Sequence, residues 1–286
     1  MWLLFAFASA VCAGLTAVLS KIGVKNTDSD VATAVRTTVI LVFSWVMVFI
    51  TGSQRGISHI EGRTLLFLIL SGGATGASWL FYFRALSLGD VNKVAPIDKS
   101  STVLTMLLAA LILGESLSFL KLLSMALIGA GTLMMIQRKE LDGQSQAKEG
   151  WLLAALLSAL CASLTAILGK IGIQGVDSNL GTAIRTCVVL VMAWLMVLLQ
   201  KKQYRLWDIG RKSWFFLLLS GFSTGSSWLC YYRALKEGPA SVVVPIDKLS
   251  ILVTILFSWL FLGEKLDRKA FWGLWLLVIG TLLLLI

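Results

Sequence analysis

The same motif occurs twice in this chain, as SGGATGASWLFYFRAL at residues 71–86 and as SGFSTGSSWLCYYRAL at residues 220–235. The two copies lie 149 residues apart. The same offset aligns residues 1–137 with 150–286 without a gap, and 61 of the 137 aligned positions are identical. A unit of this length exceeds the roughly 20–50 residues of solenoid or propeller repeats. We therefore interpret the chain as a duplicated domain, with a linker at 138–149 between the repeats.

The composition is that of a membrane protein. Hydrophobic residues make up 57% and charged residues 14% of the chain, whereas soluble domains carry roughly 25% charged residues. Continuous apolar runs of about 20 residues predict membrane-crossing helices rather than a barrel. The expected spans are residues 2–24, 31–51, 64–86, 91–113 and 119–136, then 151–173, 180–200, 213–235, 240–262 and 269–286. The sequence thus predicts an all-α integral membrane protein with ten transmembrane helices, five in each repeat.

An odd number of crossings per repeat predicts that the second repeat is inverted relative to the first. The loop charges agree, because the loop at 52–63 has two basic residues and its counterpart at 201–212 has five. The positive-inside rule then predicts that the linker and the loops 201–212 and 263–268 are cytoplasmic, with both termini outside. Basic loops at the anionic leaflet account for the net charge of +10, and no soluble basic surface indicates nucleic-acid binding.

Charged residues inside the expected spans recur in both repeats. A charge at a helix centre costs about 2.5–3.5 kcal/mol, so such residues usually face an interior or a water-filled path. The foremost candidates follow two repeated prolines, Pro96 and Pro245, and are Asp98, Lys99, Asp247 and Lys248. Proline interrupts a helix, and transporters bind substrates at discontinuous helices. The alternative is that these charges form structural salt bridges between helices.

Further repeated residues complete the candidate site. Arg36 and Arg185 lie about one turn or more inside their spans, where a transport role and a structural role are both open. Small residues spaced as in Gly72-x-x-x-Gly76 predict close helix contact. Aromatic and hydroxyl side chains follow these glycines, and the aromatics either line a cavity or anchor the helix at the membrane interface. These residues are Trp79, Tyr82, Ser78, Trp228, Tyr231 and Ser227. Glu115 and Glu264 follow the fourth and ninth spans, as solvated carboxylates or as gates.

The sequence has no signature of an enzyme. The single histidine, His59, is in an expected loop without a nucleophile or metal partner. There is no Walker A motif, no Ser-His-Asp set and no cluster with metal-ligand spacing. We therefore expect neither catalysis nor a cofactor nor a bound metal.

These repeated segments resemble the EamA domain of the drug/metabolite transporter superfamily. The resemblance rests on the quoted motif, on Val-x-Pro-Ile-Asp-Lys, and on Leu-Gly-Glu at 113–115 and 262–264. It implies a ten-helix inverted-repeat transporter that works by alternating access through a central cavity between the repeats. It also implies that this chain is a fused pair of five-helix units. Known ten-helix members place their termini in the cytoplasm, whereas the loop charges here favour the outside.

We therefore expect a secondary transporter in the cell membrane that moves a small polar metabolite, most simply outward. Among the charged residues that recur within the expected spans or at their ends, basic residues outnumber acidic ones eight to four, which favours an anionic or zwitterionic solute. Asp98 and Asp247 are candidates for proton coupling, because desolvation raises the pKa of a carboxylate. The alternative is a flippase-like carrier of a lipid or lipid-linked anion. Both a monomer and a homodimer stay open.

Overall fold

A computed structural model describes residues 1–24, 27–88, 94, 97–135, 150–262 and 268–286. Regular structure in this part of the chain is helical, which confirms the all-α prediction. The α-helices are α1 (Trp2–Val24), α2 (Ser29–Ile50), α3 (Gly62–Leu88), α4 (Ser101–Leu113), α5 (Phe119–Met135), α6 (Trp151–Gln174), α7 (Ser178–Leu199), α8 (Arg211–Glu237), α9 (Ala240–Lys248), α10 (Ser250–Leu262) and α11 (Arg268–Leu282). Short 3-10 helices occupy Ser53–His59, Gln203–Leu206 and Leu283–Leu285.

Seven helical segments among these residues are long and apolar enough to cross a membrane. They are Trp2–Val24, Ser29–Ile50, Gly62–Leu86, Trp151–Gln174, Ser178–Leu199, Ala240–Phe257 and Arg268–Leu285. Phe119–Met135 is apolar but shorter, and α8 is 27 residues long but richer in polar side chains. The chain is therefore a multi-pass membrane protein, and the full count of ten crossings stays a prediction.

The second helix of each repeat begins with the same cap. Asp28 Oδ1 accepts hydrogen bonds from the backbone N–H groups of residues 30 and 31, at 3.0 and 3.4 Å. Asp177 Oδ1 does the same at the start of α7, at 2.9 and 3.4 Å. The first turn of a helix has N–H groups without a helical partner, and a carboxylate satisfies them. Local structure thus repeats with the sequence.

The ninth expected span, residues 240–262, is divided in two. Helix α9 ends at Lys248, Leu249 is a turn, and α10 begins at Ser250. In the first repeat the equivalent turn is Ser100, between helical residues 97–99 and the start of α4. The sequence predicted an interruption beside Pro245. The proline itself lies within α9, three residues before its last residue, so the break comes one turn later than the proline.

The described residues form two compact units that do not coincide with the repeats. The first unit comprises residues 1–73, 168–238 and 250–264. Within it α1 packs antiparallel on α8, since Ser9 Oγ lies 3.1 Å from Ser227 Oγ and Ser20 Oγ lies 2.7 Å from Ser220 Oγ. Helices α2 and α7 are also antiparallel, with the N-terminal end of each beside the C-terminal end of the other. Each pair combines one helix from each repeat.

The second unit comprises residues 74–167, 239–249 and 265–286. Its closest helix contact is between α5 and α11, where a Cβ atom at Gly131 would lie 2.5 Å from the Gly273 carbonyl oxygen. The contact from Gly280 to Leu127 and Ile128 makes this pair antiparallel as well. Helix α9 packs against α4. Here too, helices of one repeat are covered by helices of the other.

Candidate functional site

Both Pro-Ile-Asp-Lys motifs belong to the second unit. Lys99 and Lys248 are both exposed side chains. Asp98 and Asp247 are half-buried. Pro96 lies outside the described residues. Charged groups from the two repeats therefore belong to the same compact unit, and each pair directly precedes a one-residue turn.

Asp98 is tied to another helix through a serine. Ser158 Oγ in α6 lies 2.9 Å from Asp98 Oδ1, 3.1 Å from the Ser78 carbonyl oxygen and 3.4 Å from Ser78 Oγ. Ser78 is thus a neighbour of the charged pair, as the sequence predicted. Ser158 was missed, although its recurrence as Ser9 was an available signal. In the first unit Ser9 contacts Ser227 with the same geometry.

Arg185 lies in an aromatic enclosure in the first unit. Its guanidinium carbon is 5.0 Å from the ring centroid of Trp228 and 4.8 Å from that of Tyr232. Its Nε donates to Ser71 Oγ at 3.1 Å, and the residue is 2% exposed. The attraction between a cation and aromatic faces offsets part of the cost of burial.

Tyr232 was missed because its counterpart in the first repeat is Phe83, so it did not recur. Tyr231, which the sequence favoured, instead meets the Tyr232 ring edge-on at 5.2 Å. In the second unit Trp79 and Tyr82 are half-buried. The repeated aromatics therefore differ in their surroundings.

Arg36 has a different environment. Its Nη2 donates to Thr224 Oγ1 at 2.9 Å, and Thr224 Oγ1 lies 3.2 Å from Thr16 Oγ1. The predicted close approach of small residues positions it: a Cβ atom at Gly221 would lie 3.2 Å from the Arg36 carbonyl oxygen and 2.7 Å from Val39 Cβ. A Cβ atom at Gly72 would lie 2.8 Å from the Arg185 carbonyl oxygen. Both arginines are thus held on helices in close contact.

Glu115 caps a helix. Its two carboxylate oxygens accept hydrogen bonds from the backbone N–H groups of Ala240 at 2.6 Å and Ser241 at 3.0 Å. These are the first residues of α9, whose own N-cap, Pro239, offers no side-chain acceptor. A negative charge at this end also interacts favourably with the helix dipole. Glu115 therefore holds the segment that carries Asp247 and Lys248. Glu264 lies outside the described residues.

A lysine side chain binds the C-terminal end of α8, the helix that precedes α9 in the chain. Lys170 Nζ donates to the carbonyl oxygens of Leu235 at 2.5 Å and Gly238 at 2.7 Å, at the C-terminal end of α8. Carbonyl groups there lack helical partners and attract positive charge. Lys170 therefore closes α8 rather than extending to a membrane surface.

The first unit contains a cavity of about 300 Å³. Its walls are mainly apolar, with Phe5, Phe43 and Met47 among them, and Ser178 and Arg233 add polar groups. Arg233 Nε donates to Glu237 at 2.7 Å, and its guanidinium lies over the Phe5 ring. Phe43 is seven residues, about two turns, from Arg36 on α2.

Together these features define a helical, multi-pass membrane protein that carries repeated charged and hydroxyl side chains within its apolar helices. The sequence model of the EamA-like transporter family matches residues 1–137 and 149–286. Because the match covers nearly the whole chain, the protein belongs to this family of membrane transporters. The resemblance inferred from the repeated motifs is confirmed.

Relatives bear names of transporters. A protein of Sinorhizobium sp. called an uncharacterized transporter in cobO 3'region is 51% identical over 134 residues, which are 47% of this chain and 95% of that protein. That relative is thus about as long as one repeat. The pseudopaline exporter CntI of Pseudomonas aeruginosa is 34% identical over 68 residues, 24% of each chain. A crystal structure of a protein with 18% identity superposes at a TM-score of 0.80, over 98% of this chain and 95% of that one, and shares the fold.

Proposed function

We propose that this protein is a secondary transporter that exports a small polar, anionic or zwitterionic metabolite by alternating access. Membership of a transporter family supports the transport activity. The name of the exporter CntI supports the outward direction. The site is formed by the two Asp-Lys pairs, Asp98-Lys99 and Asp247-Lys248.

The observation that carries this proposal is a one-residue turn at equivalent positions in the fourth span of each repeat, Ser100 and Leu249, where the regular helix pauses while the backbone keeps right-handed helical angles. At each turn the preceding two residues are an aspartate and a lysine. Interrupted helices near the centre of a repeat protein provide the binding groups in many secondary transporters. Two such turns, one from each repeat, support a shared binding site.

Asp98 and Asp247 are the proposed coupling groups. Each carboxylate would exchange a proton with water on whichever side of the membrane is open. Ser158 holds Asp98 by a hydrogen bond that a protonated carboxyl could reverse, with the acid as donor. Proton release and solute release would then be linked at one place.

The test is transport by purified protein in liposomes with an imposed pH gradient. Uptake of labelled amino acids and organic acids would be compared for the unaltered protein, Asp98→Asn and Asp247→Asn. We expect each substitution to abolish gradient-driven uptake, and solute exchange without a gradient to survive in at least one of them. The control is Glu237→Gln, which removes an exposed carboxylate at the end of α8. Gradient-driven uptake that is unchanged in both asparagine variants would exclude these residues from coupling.

The same liposomes address the alternative function. A lipid carrier would move a fluorescent anionic phospholipid between leaflets and would not accumulate soluble solutes. Lipid movement without solute uptake would contradict the proposal.

Sidedness is part of the proposal. We propose that the loops 201–212 and 263–268 and the linker 138–149 face the cytoplasm, with both termini outside. The linker and most of the second loop lie outside the described residues. Cysteine labelling of intact cells at positions 2, 58 and 205 tests this, in a variant that lacks the four native cysteines. We expect labelling at 2 and 58 and protection at 205; protection at 2 would overturn the orientation.

A further inference from the structure

The two repeated arginines of α2 and α7 occupy the same repeat position but differ in what compensates their charge. Arg185 is 2% exposed and lies over two aromatic rings, with a hydrogen bond from Nε to Ser71. Arg36 is half-buried and has one hydrogen bond with the described residues, from Nη2 to Thr224. Equivalent backbone positions thus hold one enclosed arginine and one that is sparsely contacted.

Arg36 has unused capacity for an anion. No carboxylate of the described residues lies within 4 Å of it, and its buried Nε has no hydrogen-bond partner among them. A guanidinium presents five N–H donors in a planar fork that matches an oxyanion. Arg36 lies seven residues from the start of α2, about 10 Å along the helix. A cation at that depth requires a counter-charge or water.

The neighbours of Arg36 suit an oxyanion. Thr224 donates its hydroxyl hydrogen toward the Ser220 carbonyl at 2.8 Å, which directs its lone pairs to Arg36. Thr16 Oγ1, 3.2 Å from Thr224 Oγ1, supplies a further hydroxyl from α1. The contact at Gly221 fixes the α2 backbone against α8. Helix α8 therefore contacts the guanidinium directly through Thr224, and Thr16 of α1 contacts Thr224, so these hydroxyls bind the arginine without neutralising it.

We propose that Arg36, with Thr224 and Thr16, binds the oxyanion of a solute, a carboxylate or a phosphate group, and that Arg185 is its structural counterpart. This inference rests on the proposed transport function for its biological role, but the binding site can be tested alone. Arg36 gives the anion its affinity, and Thr224 keeps the fork oriented.

The test is thermal unfolding of purified protein in detergent with acetate, succinate or inorganic phosphate at constant ionic strength. We expect at least one of them to raise the melting temperature with saturation. Arg36→Gln should raise the half-saturating concentration about tenfold or more, because it removes a charge-assisted bidentate contact. Salting effects stabilise all variants alike, so only differences between variants count. Arg63→Gln, on an exposed residue at the start of α3, is the matched control and should bind as the unaltered protein does.

Two further variants keep the test decisive if Arg36→Gln does not fold. Arg36→Lys keeps the charge but loses the fork, and Thr224→Val removes the hydroxyl while keeping the arginine. Each should weaken anion binding several-fold. Arg185→Gln should lower the melting temperature but shift the half-saturating concentration less than Arg36→Gln does.

Three results would overturn the inference: no stabilisation by any of the three anions, stabilisation unchanged in the Arg36 and Thr224 variants, or loss confined to Arg185→Gln. The transport assay separates this outcome from the proposed function. If a neutral or cationic solute is taken up and substitution of Arg36 does not change its uptake, the proposed transport function is supported and the anion site is not. If anions bind saturably at Arg36 and no solute is transported, the anion site is supported and the transport function is not.

Discussion

The two ends of the α2–α7 pair are closed by different chemistry at equivalent positions. At one end, the Lys202 end, Lys202 Nζ pairs with Asp30 and lies 3.3 Å from Asp28 Oδ2, and Arg205 Nη1 lies 3.4 Å from the same oxygen. At the other, the Ser53 end, Ser53 Oγ donates to Asp177 Oδ1 at 2.8 Å, and Asn179 donates to Thr51 at 3.3 Å.

The repeat offset relates these contacts residue by residue. Ser53 corresponds to Lys202, Asp177 to Asp28 and Asn179 to Asp30. The helix caps are the same, so the backbone geometry has been kept while the partner of the capping aspartate has changed. Two equivalent contacts in a duplicated chain can therefore differ in strength. We expect the ion-paired end to open less readily than the end held by neutral donors.

The ion pairs at the Lys202 end also change the pKa of Lys202. Partial burial lowers the pKa of Lys202, but hydrogen bonds and charges from Asp30 and Asp28 outweigh it and raise the pKa above its ordinary value. A raised lysine pKa in the folded state stabilises the fold at all pH values below the ordinary value, near 10.5. The contribution disappears only as the pH rises through the folded-state pKa. The closure is thus intact throughout the physiological range.

Replacing Lys202 with the residue found at the Ser53 end should have the largest effect. Lys202→Ser leaves Asp30, whose side chain is 4% exposed, without its cation. Leaving a buried charged group unpaired costs about 1–3 kcal/mol or more. We expect a clear fall in the melting temperature, measured by scanning fluorimetry in detergent. Ser53→Ala is the matched control and should cost less, since a neutral hydrogen bond contributes about 1 kcal/mol. Equal losses would remove the distinction between the two ends.

Converting both partners should recover much of that loss. In Asp30→Asn with Lys202→Ser, the Lys202 end acquires the residues of the Ser53 end and no buried carboxylate is left unpaired. We expect a net cost below about 1 kcal/mol, because replacing both members of a pair avoids the penalty of an isolated charge. A double-mutant cycle measures the coupling. Additive losses would show that Lys202 and Asp30 do not stabilise each other.

The converse substitution should give a small gain. Ser53→Lys places a cation opposite Asp177, and exposed ion pairs contribute about 0.2–1 kcal/mol. The expected result is a slightly higher melting temperature that becomes sensitive to salt. Ser53→Gln, of similar length without the charge, is the control. A gain of the same size with glutamine would assign the effect to packing.

Salt should produce the smallest change. The Debye length falls from about 10 Å at 0.1 M to 3 Å at 1 M, so partly exposed pairs weaken. The stability difference between the unaltered protein and Lys202→Ser should shrink by a few tenths of a kcal/mol over this range. The difference between the unaltered protein and Ser53→Ala should stay constant. Because the pKa of Lys202 is raised, neither difference should change between pH 7 and 9.

The lengths of the apolar runs and the repeated prolines predicted the helical class and several of the helices. The first expected span, 2–24, coincides with α1, and the expected span 180–200 differs from α7 by two residues at its start. The position of the helix break is less accurate, because proline removes the hydrogen bond to the preceding turn while the chain remains helical for three more residues. The apolar run at 213–235 predicted a span, but α8, which contains it, is not among the seven helices that are apolar enough to cross, so this span stays a prediction.

The candidate site was predicted only in part, because pairing between distant segments has no local pattern. Asp98 contacts Ser158, and Glu115 contacts the start of α9; neither separation follows a helical or strand period. Repetition found Arg36 and Arg185 but could not show that aromatic rings cover one of them. It also directed attention away from Tyr232 and Lys202, since both lack an identical counterpart.

The pairing of α1 with α8, α2 with α7 and α5 with α11 has a consequence for how the chain can be assembled. Helices of each repeat pack against helices of the other, so a fragment ending before residue 138 would expose these apolar contact surfaces to lipid. We expect two fragments cut in the linker to be degraded when made singly and to reconstitute activity when made together. The covalent linker would then ensure that the two repeats are made in equal amounts and inserted together. The contacts between their helices would be sufficient for the two fragments to recognise each other.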